Sequence, residues 1–506
     1  MFKELVDNYK RNIVENTIEL IKIPSVLDES SISPSKPFGE KINTALEYIL
    51  DLGKTLGFKT KNIDGYCGYI ECGSGKELIG IATHLDVVPA KSNWNFPPFE
   101  GIVDENKIYG RGVIDDKGPT IASLYAMKII TDNFALNKRI RLIVGLNEEN
   151  DWKCINYYKE HEEIPSIGFS PDADFPCIYT EKGVLSTFFK MDYSNYLNNP
   201  IVIKNFECNN NAINVVADFC SVTLEMNNKI NMVDFIFLLN SLISKYEFNI
   251  DFSFNTENNQ MQLNSYGIAS HASHPELGTN AISRLLIILN DLFENYNIEI
   301  EILDFFKKHI NTEIYGDSLG LKRNDESGDL TLNVGNISFE NNFIIIGLNL
   351  RIPVFTKLDF ININFDKILL DYPQISYYHK RFQEPLFLEK DSFLIKTLCK
   401  SYNEVCDSNL SPISIGGATF ARAFKNFASF GPTFPNDPDM CHQTDEFVDI
   451  DKLLLTTEIY TNALFHFIWF LTKKKPRLSR KMSWIFKDLL LKTGGCLPKY
   501  SWASYY

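Results

Sequence analysis

The sequence lacks the cysteine and repeat patterns that mark several protein classes. Its ten cysteines include no CxxC pair, which argues against a zinc finger or a disulfide framework and favours reduced thiols in a cytosol. No segment repeats with a fixed period, and no low-complexity linker separates parts of the chain. These absences leave an ordinary folded protein as the expectation.

Long apolar runs and a surplus of positive charge are also missing. The stretch "ALFHFIWFL" near the C-terminus is too short and too interrupted to span a bilayer. The first segment, "MFKELVDNYKRNIVENTIELIKIPSV", carries charges throughout instead of the uninterrupted apolar core of a signal peptide. The formal net charge of -14 argues against a nucleic-acid or anionic-membrane partner. We therefore expect a cytoplasmic protein with neither kind of partner.

The chain does contain the material of a sizeable core. It has 506 residues, of which 44% are hydrophobic and 23% charged, and this length suggests roughly two to four domains. The first third alternates apolar runs such as "KELIGIATHLD" and "RIRLIVGLNEE" with the helical pattern "GPTIASLYAMKII". This order predicts an α/β fold whose mostly parallel sheet is covered by helices on both faces.

The pattern changes at about Val184. Segments such as "NVVADFCSVTLEM" and "FIIIGLNLRIPV" alternate like half-buried antiparallel strands, with helical stretches between them. We predict an α/β domain in two parts, 1–183 and 382–471, interrupted by a large α+β domain over 184–381. The remaining segment, 472–506, is a basic and apolar tail. A packed appendage is the favoured interpretation of this tail, and a membrane-surface helix is the less favoured one.

Histidines and carboxylates follow the predicted strands of the first domain, and one further histidine comes late in the chain. Ligands of parallel sheets gather at the carboxyl ends of the strands, and imidazole with carboxylate suits Zn²⁺, with Mn²⁺ or Co²⁺ as substitutes. The candidates for a pair of divalent ions are His84, Asp86, Asp115, Asp116, Glu148, Glu149, Asp172 and His442. Each motif alone is more often a capped turn, a solvated turn or a helix start. Their joint occurrence favours a metal site.

Nine motifs occur in the order known from one family: "HLDVVPA", "WNFPPFEG", "YGRGVIDDKGPT", "NEENDWKC", "GFSPDADFP", "SHASHPELGTNA", "GLNLRIPV", "GGATFARA" and "HQTDEF". The chain resembles the dinuclear zinc peptidases related to carboxypeptidase G, aminoacylase and succinyl-diaminopimelate desuccinylase. It is most similar to the bacterial dipeptidases typified by peptidase V. The resemblance covers about Met1 to Leu471.

The resemblance implies a ligand set for two zinc ions. His84 and Asp172 would hold one ion, Glu149 and His442 would hold the other, and Asp115 would bridge them.

It also implies roles for neighbouring residues. Glu148 would be the general base on a bridging water. Asp86 would accept the second ring N–H of His84 and so fix its tautomer. The Asp115–Asp116 peptide bond would be cis.

The inserted domain would supply the substrate contacts. His271 would donate to the developing oxyanion, and Arg351 would bind the terminal carboxylate of the substrate. Gly416 and Gly417 would let a backbone loop approach the substrate closely, and Asn214 would be a further substrate-binding residue.

Taken together, these features predict a dinuclear metallopeptidase, a zinc-dependent dipeptidase that acts on short peptides with a free C-terminal carboxylate. Deacylation of N-acyl amino acids by the same site is an alternative that the sequence leaves open. A non-catalytic metal-binding protein is a third hypothesis, and the presence of Glu148, which a scaffold would not need, argues against it. Because the insert is near 200 residues long, we expect a monomer whose lid covers its own active site.

Overall fold

The computed structural model describes residues 2–90, 93–209 and 212–470. The predicted tail, 472–506, lies outside the described residues. Within these ranges the chain forms the helices α1 (Lys3–Asp7), α2 (Lys10–Ile21), α3 (Glu40–Thr55), α4 (Lys117–Asn133), α5 (Lys153–His161), α6 (Met232–Tyr246), α7 (Ala281–Asn295), α8 (Glu301–His309), α9 (Leu358–Leu369), α10 (Phe393–Cys406) and α11 (Ile450–Phe470).

The strands of the first half are β1 (Lys59–Ile63), β2 (Cys67–Gly73), β3 (Leu78–His84), β4 (Ile102–Asp104), β5 (Lys107–Tyr109), β6 (Arg139–Gly145), β7 (Ile167–Ser170), β8 (Ala173–Asp174), β9 (Ile178–Glu181), β10 (Gly183–Asp192), β11 (Ile201–Cys208), β12 (Phe219–Met226), β13 (Ile250–Asn255) and β14 (Gln260–Tyr266). Those of the second half are β15 (Asn324–Asp325), β16 (Gly328–Asp329), β17 (Thr331–Glu340), β18 (Phe343–Ile352), β19 (Ile375–Gln383), β20 (Leu386–Phe387), β21 (Ile413–Ile415), β22 (Phe427–Ser429), β23 (Pro432–Thr433) and β24 (Phe447–Asp449).

The chain divides into two compact units. Unit 1 contains the described residues of Met1–Tyr179, Leu388–Ile413 and Thr419–Tyr506, and unit 2 contains those of Thr180–Phe387 and Ser414–Ala418.

Unit 1 is built on a sheet with the strand order β1-β2-β6-β3-β7-β22-β9. The pairs β6–β3, β3–β7 and β7–β22 are parallel. All seven positions of β3 are buried, because a parallel strand at the centre of a sheet is covered on both faces and shows no polar alternation.

The carboxyl ends of these parallel strands position the site. β3 ends at His84, and the loop after β6 carries Glu148 and Glu149. Asp172 comes two residues after β7, and α4 begins directly after Asp115 and Asp116. Since β3, β6 and β7 are neighbours with the same direction, their ends open at one edge of the sheet.

Unit 2 contains two antiparallel four-stranded sheets with the orders β17-β18-β10-β19 and β11-β12-β14-β13. The helix α7 is buried on all sides from Leu285 to Phe293, and Leu285, Leu289 and Leu292 belong to their core. The predicted fold class is confirmed: a parallel-centred α/β part and an α+β insert. None of the described helices is both long and apolar enough to cross a membrane.

Candidate metal centre and active site

His84 lies at the end of β3 with 1% of its surface exposed. Its Nδ1 is 2.8 Å from the main-chain oxygen of Asp86, and its Nε2 is 2.9 Å from Oδ1 of Asp115. Because a carbonyl oxygen can only accept, Nδ1 carries a proton and donates it to Asp86. Nε2 therefore faces the carboxylates, as a metal-binding imidazole requires.

The carboxylate of Asp86 has a different contact from the predicted one. Its Oδ1 is 3.6 Å from Nδ1 of His84, too far for a hydrogen bond. It instead accepts the main-chain N–H of Glu148 and the main-chain N–H of Glu149, each at 3.0 Å. The main-chain carbonyl of Asp86 makes the closer contact with Nδ1, and the role of the carboxylate in fixing the His84 tautomer stays a prediction. The carboxylate holds the loop after β6.

Asp115 lies between two histidines. Its Oδ1 is 2.9 Å from Nε2 of His84, and its Oδ2 is 3.1 Å from Nε2 of His442. Oε1 of Glu149 is 3.0 Å from Nε2 of His442, and Oδ2 of Asp172 is 3.9 Å from Nε2 of His84. The five predicted ligands thus meet in one place, with one carboxylate in contact with both imidazoles. The Asp115–Asp116 peptide is cis, as the resemblance implies.

Two groups of side chains in this cluster could each hold a cation. The ligand atoms of His84, Glu148 and Asp172 lie within 4.8 Å of one another, and so do those of His84, Asp115 and Glu149. The donor set consists of imidazole and carboxylate, which suits divalent ions of the zinc type.

The electrostatics of the cluster also fit bound cations. Burial raises the pKa of Glu148 to about 8, against the lowering effect of His84. Burial and the neighbouring Asp115 likewise raise the pKa of Glu149 and that of Asp172. His442 has its pKa raised to about 11 although burial lowers it, because Glu149 and Asp115 face it. Four carboxyl groups, those of Asp115, Glu148, Glu149 and Asp172, share this cluster with two histidines, and bound divalent ions would favour the ionised form of these carboxyl groups.

Glu446 supports the cluster, and sequence reasoning missed it. Its fully buried carboxylate accepts N–H bonds from Gly112 and Ile114, each at 2.9 Å, and one from Nη1 of Arg111 at 2.7 Å. Nη2 of Arg111 is 3.3 Å from the carbonyl oxygen of His442, to which it donates. The pair thus joins the loop before Asp115 to the loop of His442. Its only sequence signal is its place in "HQTDEF".

Unit 2 brings a second set of predicted residues together. Nε2 of His271 is 3.5 Å from Nη2 of Arg351. Nη1 of Arg351 donates to the carbonyl oxygen of Gly416 at 2.8 Å, and its Nε donates to Oδ1 of Asn349 at 3.0 Å. Arg351 is only 4% exposed, so its charge is held in a fixed geometry. Two cationic or polar donors at this spacing suit an anionic group.

Ser273 orients His271, and it is another residue that sequence reasoning missed. Its Oγ is 2.5 Å and its main-chain N 3.4 Å from Nδ1 of His271. The main-chain N–H of Ser273 can only donate towards Nδ1, and the guanidinium of Arg351 can only donate towards Nε2, so these two contacts by themselves do not fix the tautomer of His271. A Cβ on Gly416 would lie 2.6 Å from Cβ of Ser273, which is why a glycine occupies that position.

Asn214 and Gly417 were also predicted to bind substrate. The carbonyl oxygen of Asn214 accepts the N–H of Ala272, next to His271, at 2.9 Å, so Asn214 lies beside this set. A Cβ on Gly417 would meet its nearest neighbour, Cδ1 of Ile415, at 3.5 Å. The backbone around Gly417 therefore does not require a glycine.

Comparisons with known proteins agree on one family. The profile of Peptidase family M20/M25/M40 matches residues 80–466. "Putative dipeptidase YtjP" of Bacillus subtilis is 37% identical over 465 residues, with 90% of this chain and 97% of that protein covered. "Putative dipeptidase SH1171" of Staphylococcus haemolyticus is 33% identical over 475 residues, with 92% and 99% covered.

Solved structures share the fold. The di-peptidase Dug1p of Saccharomyces cerevisiae superposes with a TM-score of 0.57 at 13% identity, with 93% of this chain and 98% of that chain covered. Human carnosine dipeptidase 1 gives a TM-score of 0.56 at 13% identity, with 91% and 97% covered. At this identity the likeness shows the fold alone. The profile match and the curated relatives confirm the predicted resemblance, and the chain belongs to Peptidase family M20/M25/M40.

Proposed function

We propose that the protein is a dipeptidase that uses two divalent ions, Zn²⁺ by preference, to hydrolyse short peptides with a free C-terminal carboxylate. The observation that carries this proposal is the position of Asp115, whose two oxygens contact His84 and His442 separately. The names of the curated relatives, dipeptidases in each case, favour a dipeptide as the substrate.

His84 and Asp172 would hold one ion, Glu149 and His442 would hold the other, and Asp115 would contact both. Two such ions, when bound, supply Lewis acidity that polarises a carbonyl and lowers the pKa of a water molecule.

Glu148 moves the proton in this mechanism. Its carboxylate takes a proton from the attacking water and later gives it to the leaving amine. Burial raises its pKa, and this favours the protonated state that the second transfer needs. Asp86 holds the main-chain N–H of Glu148 and thereby the position of the base.

His271 and Arg351 act on the substrate. With its proton on Nε2, His271 would donate to an oxyanion, and the fork of Arg351 suits a carboxylate. We propose that residues 184–381 form a lid and that His271 serves the metals of its own chain in a cytoplasmic monomer. Two complete four-stranded sheets form within this part of the chain. This supports a lid that needs no strand from a second chain.

A substrate panel tests the reaction. Metal-free protein is reconstituted with Zn²⁺, Mn²⁺ or Co²⁺ and assayed with dipeptides, C-terminally amidated dipeptides and N-acyl amino acids. We expect hydrolysis of the free dipeptides, with amidation raising KM. Preference for the N-acyl amino acids would show a deacylase instead, and metal binding without any turnover would show a non-catalytic protein.

A mixing experiment tests the monomer. Glu148→Ala and His271→Ala proteins are combined, and light scattering gives the mass. If each chain uses its own histidine, the mixture stays inactive. Recovery of activity together with a dimer mass would contradict the proposal.

A further inference from the structure

Two cysteines of unit 2 lie directly opposite each other on neighbouring strands. Cys208 ends β11 and pairs with Cys220 of β12 in antiparallel register. Their sulfur atoms are 3.1 Å apart. Opposite residues of antiparallel strands have Cα atoms about 4.5–5.5 Å apart, which is within the range of about 4.4–6.8 Å that a disulfide bond spans. A disulfide bond between the two sulfurs is therefore within reach of these strands after a small shift.

The two thiols differ in access. Cys208 is half-buried, and it lines a surface groove together with Phe206 and with Ile337 of β17. Cys220 is fully buried behind it. The neighbouring Cys220 thiol lowers the pKa of Cys208 against the opposing effect of burial. A reagent from solution would therefore meet Cys208 first, and Cys220 could react only with what Cys208 has bound.

Residues 212–219, which precede Cys220, support His271. The carbonyl oxygen of Asn214 accepts the N–H of Ala272, and the N–H of Val216 donates to the carbonyl oxygen of Ser270, each at 2.9 Å. The segment thus holds the main chain on both sides of His271. A shift of Cys220 would reach His271 through residues 212–219 and these two hydrogen bonds.

We propose that Cys208 and Cys220 are a modification site that forms a reversible disulfide with a small-molecule disulfide as oxidant, and that this bond slows turnover. The Cys208 thiolate attacks one sulfur of the oxidant, forms a mixed disulfide and releases one thiolate. Cys220 attacks the Cys208 sulfur and displaces the second thiolate, which takes up the Cys220 proton. Each oxidant molecule is reduced to two thiols, and the two cysteines lose two electrons and two protons.

The expected effect on turnover rests on the proposed function of His271. The sulfur atoms must approach from 3.1 Å to about 2.05 Å in a disulfide. A displacement of this order at a catalytic group lowers rates by up to roughly 10²-fold. Part of it reaches His271, so we expect kcat to fall about tenfold. Metal content should not change, since the proposed ligands belong to unit 1.

The test treats the full-length holoenzyme with oxidised glutathione and follows peptide masses and dipeptide hydrolysis. We expect a linked peptide pair that contains Cys208 and Cys220, and a roughly tenfold lower kcat. Dithiothreitol should separate the two peptides and restore kcat. Free thiols at both positions after treatment would overturn the proposal. A linked pair with unchanged kcat would overturn the regulatory part. The masses do not depend on activity, so failure of the reduced enzyme to cleave dipeptides would contradict the proposed function alone.

Two serine variants test the order of reaction, and a third serves as a control. Cys220→Ser should stop at a glutathione adduct on Cys208, whereas Cys208→Ser should stay unmodified at Cys220 and keep its kcat under oxidation. Cys406→Ser removes a half-buried thiol of unit 1 and should behave as wild type. Because a serine at the buried Cys220 is a risk to folding, Cys220→Ala is made as well, and circular dichroism checks each variant. Modification of Cys220 in the Cys208→Ser protein would contradict the order.

Discussion

Replacing Asp86 with asparagine tests the contact that differs most from the sequence-based expectation. Asp86 is 1% exposed, and each of its carboxylate oxygens accepts a main-chain N–H, from Glu148 and from Glu149, at 3.0 Å. An asparagine offers one acceptor oxygen and places an NH₂ group against the second N–H donor. One charge-assisted hydrogen bond is lost, which costs about 1.5–3 kcal/mol. If this loss falls on the loop that carries the base, turnover decreases about 10- to 100-fold, since about 1.4 kcal/mol is a tenfold change in rate.

The assay compares kcat, metal affinity and thermal stability of Asp86→Asn with those of wild type. We expect kcat to fall by the stated factor, with weaker binding of one ion because Glu149 shares the displaced loop. Asp325→Asn is the matched control. Asp325 also accepts two main-chain N–H bonds, from Ser327 at 2.8 Å and from Phe355 at 2.9 Å, but it lies in unit 2. It should lose stability without losing metal.

A kcat within twofold of wild type for Asp86→Asn, in protein with full metal content, would refute the reasoning. It would show that the two N–H bonds do not position Glu148.

Three further predictions concern the metal centre and His271, and a fourth concerns the ion pair of Glu404 and His466. Metal analysis of reconstituted protein should find about two divalent ions per chain, as five clustered ligands imply, and at most one ion would contradict a dinuclear centre. Glu148→Gln should keep both ions and lose at least about 10³-fold in kcat, because the base is removed while the ligands stay; a loss under tenfold would reassign the base. Ser273→Ala should lower kcat about tenfold through the lost hydrogen bond to His271, and Ser273→Thr, which keeps a hydroxyl, should restore most of it at unchanged KM. Although burial raises it, the pKa of Glu404 is lowered to about 2, because His466 binds the carboxylate. Since the unfolded value is about 4.3, this pair stabilises the fold above that pH and loses its effect as the pH falls towards 2. In the Glu404→Gln variant, the melting temperature should therefore fall less steeply than in wild type as the pH is lowered from about 4.3 towards 2.

Much of the fold could be predicted because buried parallel strands have a recognisable sequence. The run of β3, "LIGIATH", has no polar alternation, and only a strand covered on both faces tolerates that pattern. The clustering of His84, Glu149 and Asp172 could be predicted for the same reason, because neighbouring parallel strands open at a common edge.

The supporting contacts could not be predicted from local pattern. Asp86 meets Glu148 across 62 positions of the chain, and Arg111 meets Glu446 across 335. The pattern of a sequence indicates which face of an element is buried, but it does not indicate which amide a buried carboxylate will meet. Ser273 illustrates the same limit, since a serine two residues from a histidine usually has no special role.

The amino-acid sequence by itself determined which structural parts and reactive residues this protein contains: a parallel α/β core, an α+β insert, and histidines and carboxylates at strand ends. These follow from hydrophobic periodicity and residue chemistry, which are properties of short segments. Only the tertiary structure decided which atoms meet. Nδ1 of His84 bonds the carbonyl oxygen of Asp86 and not its carboxylate, and Asp115 contacts both His84 and His442. Hydrogen bonds form only within a few tenths of an ångström of their ideal length, and that precision is set by the packing of the whole unit.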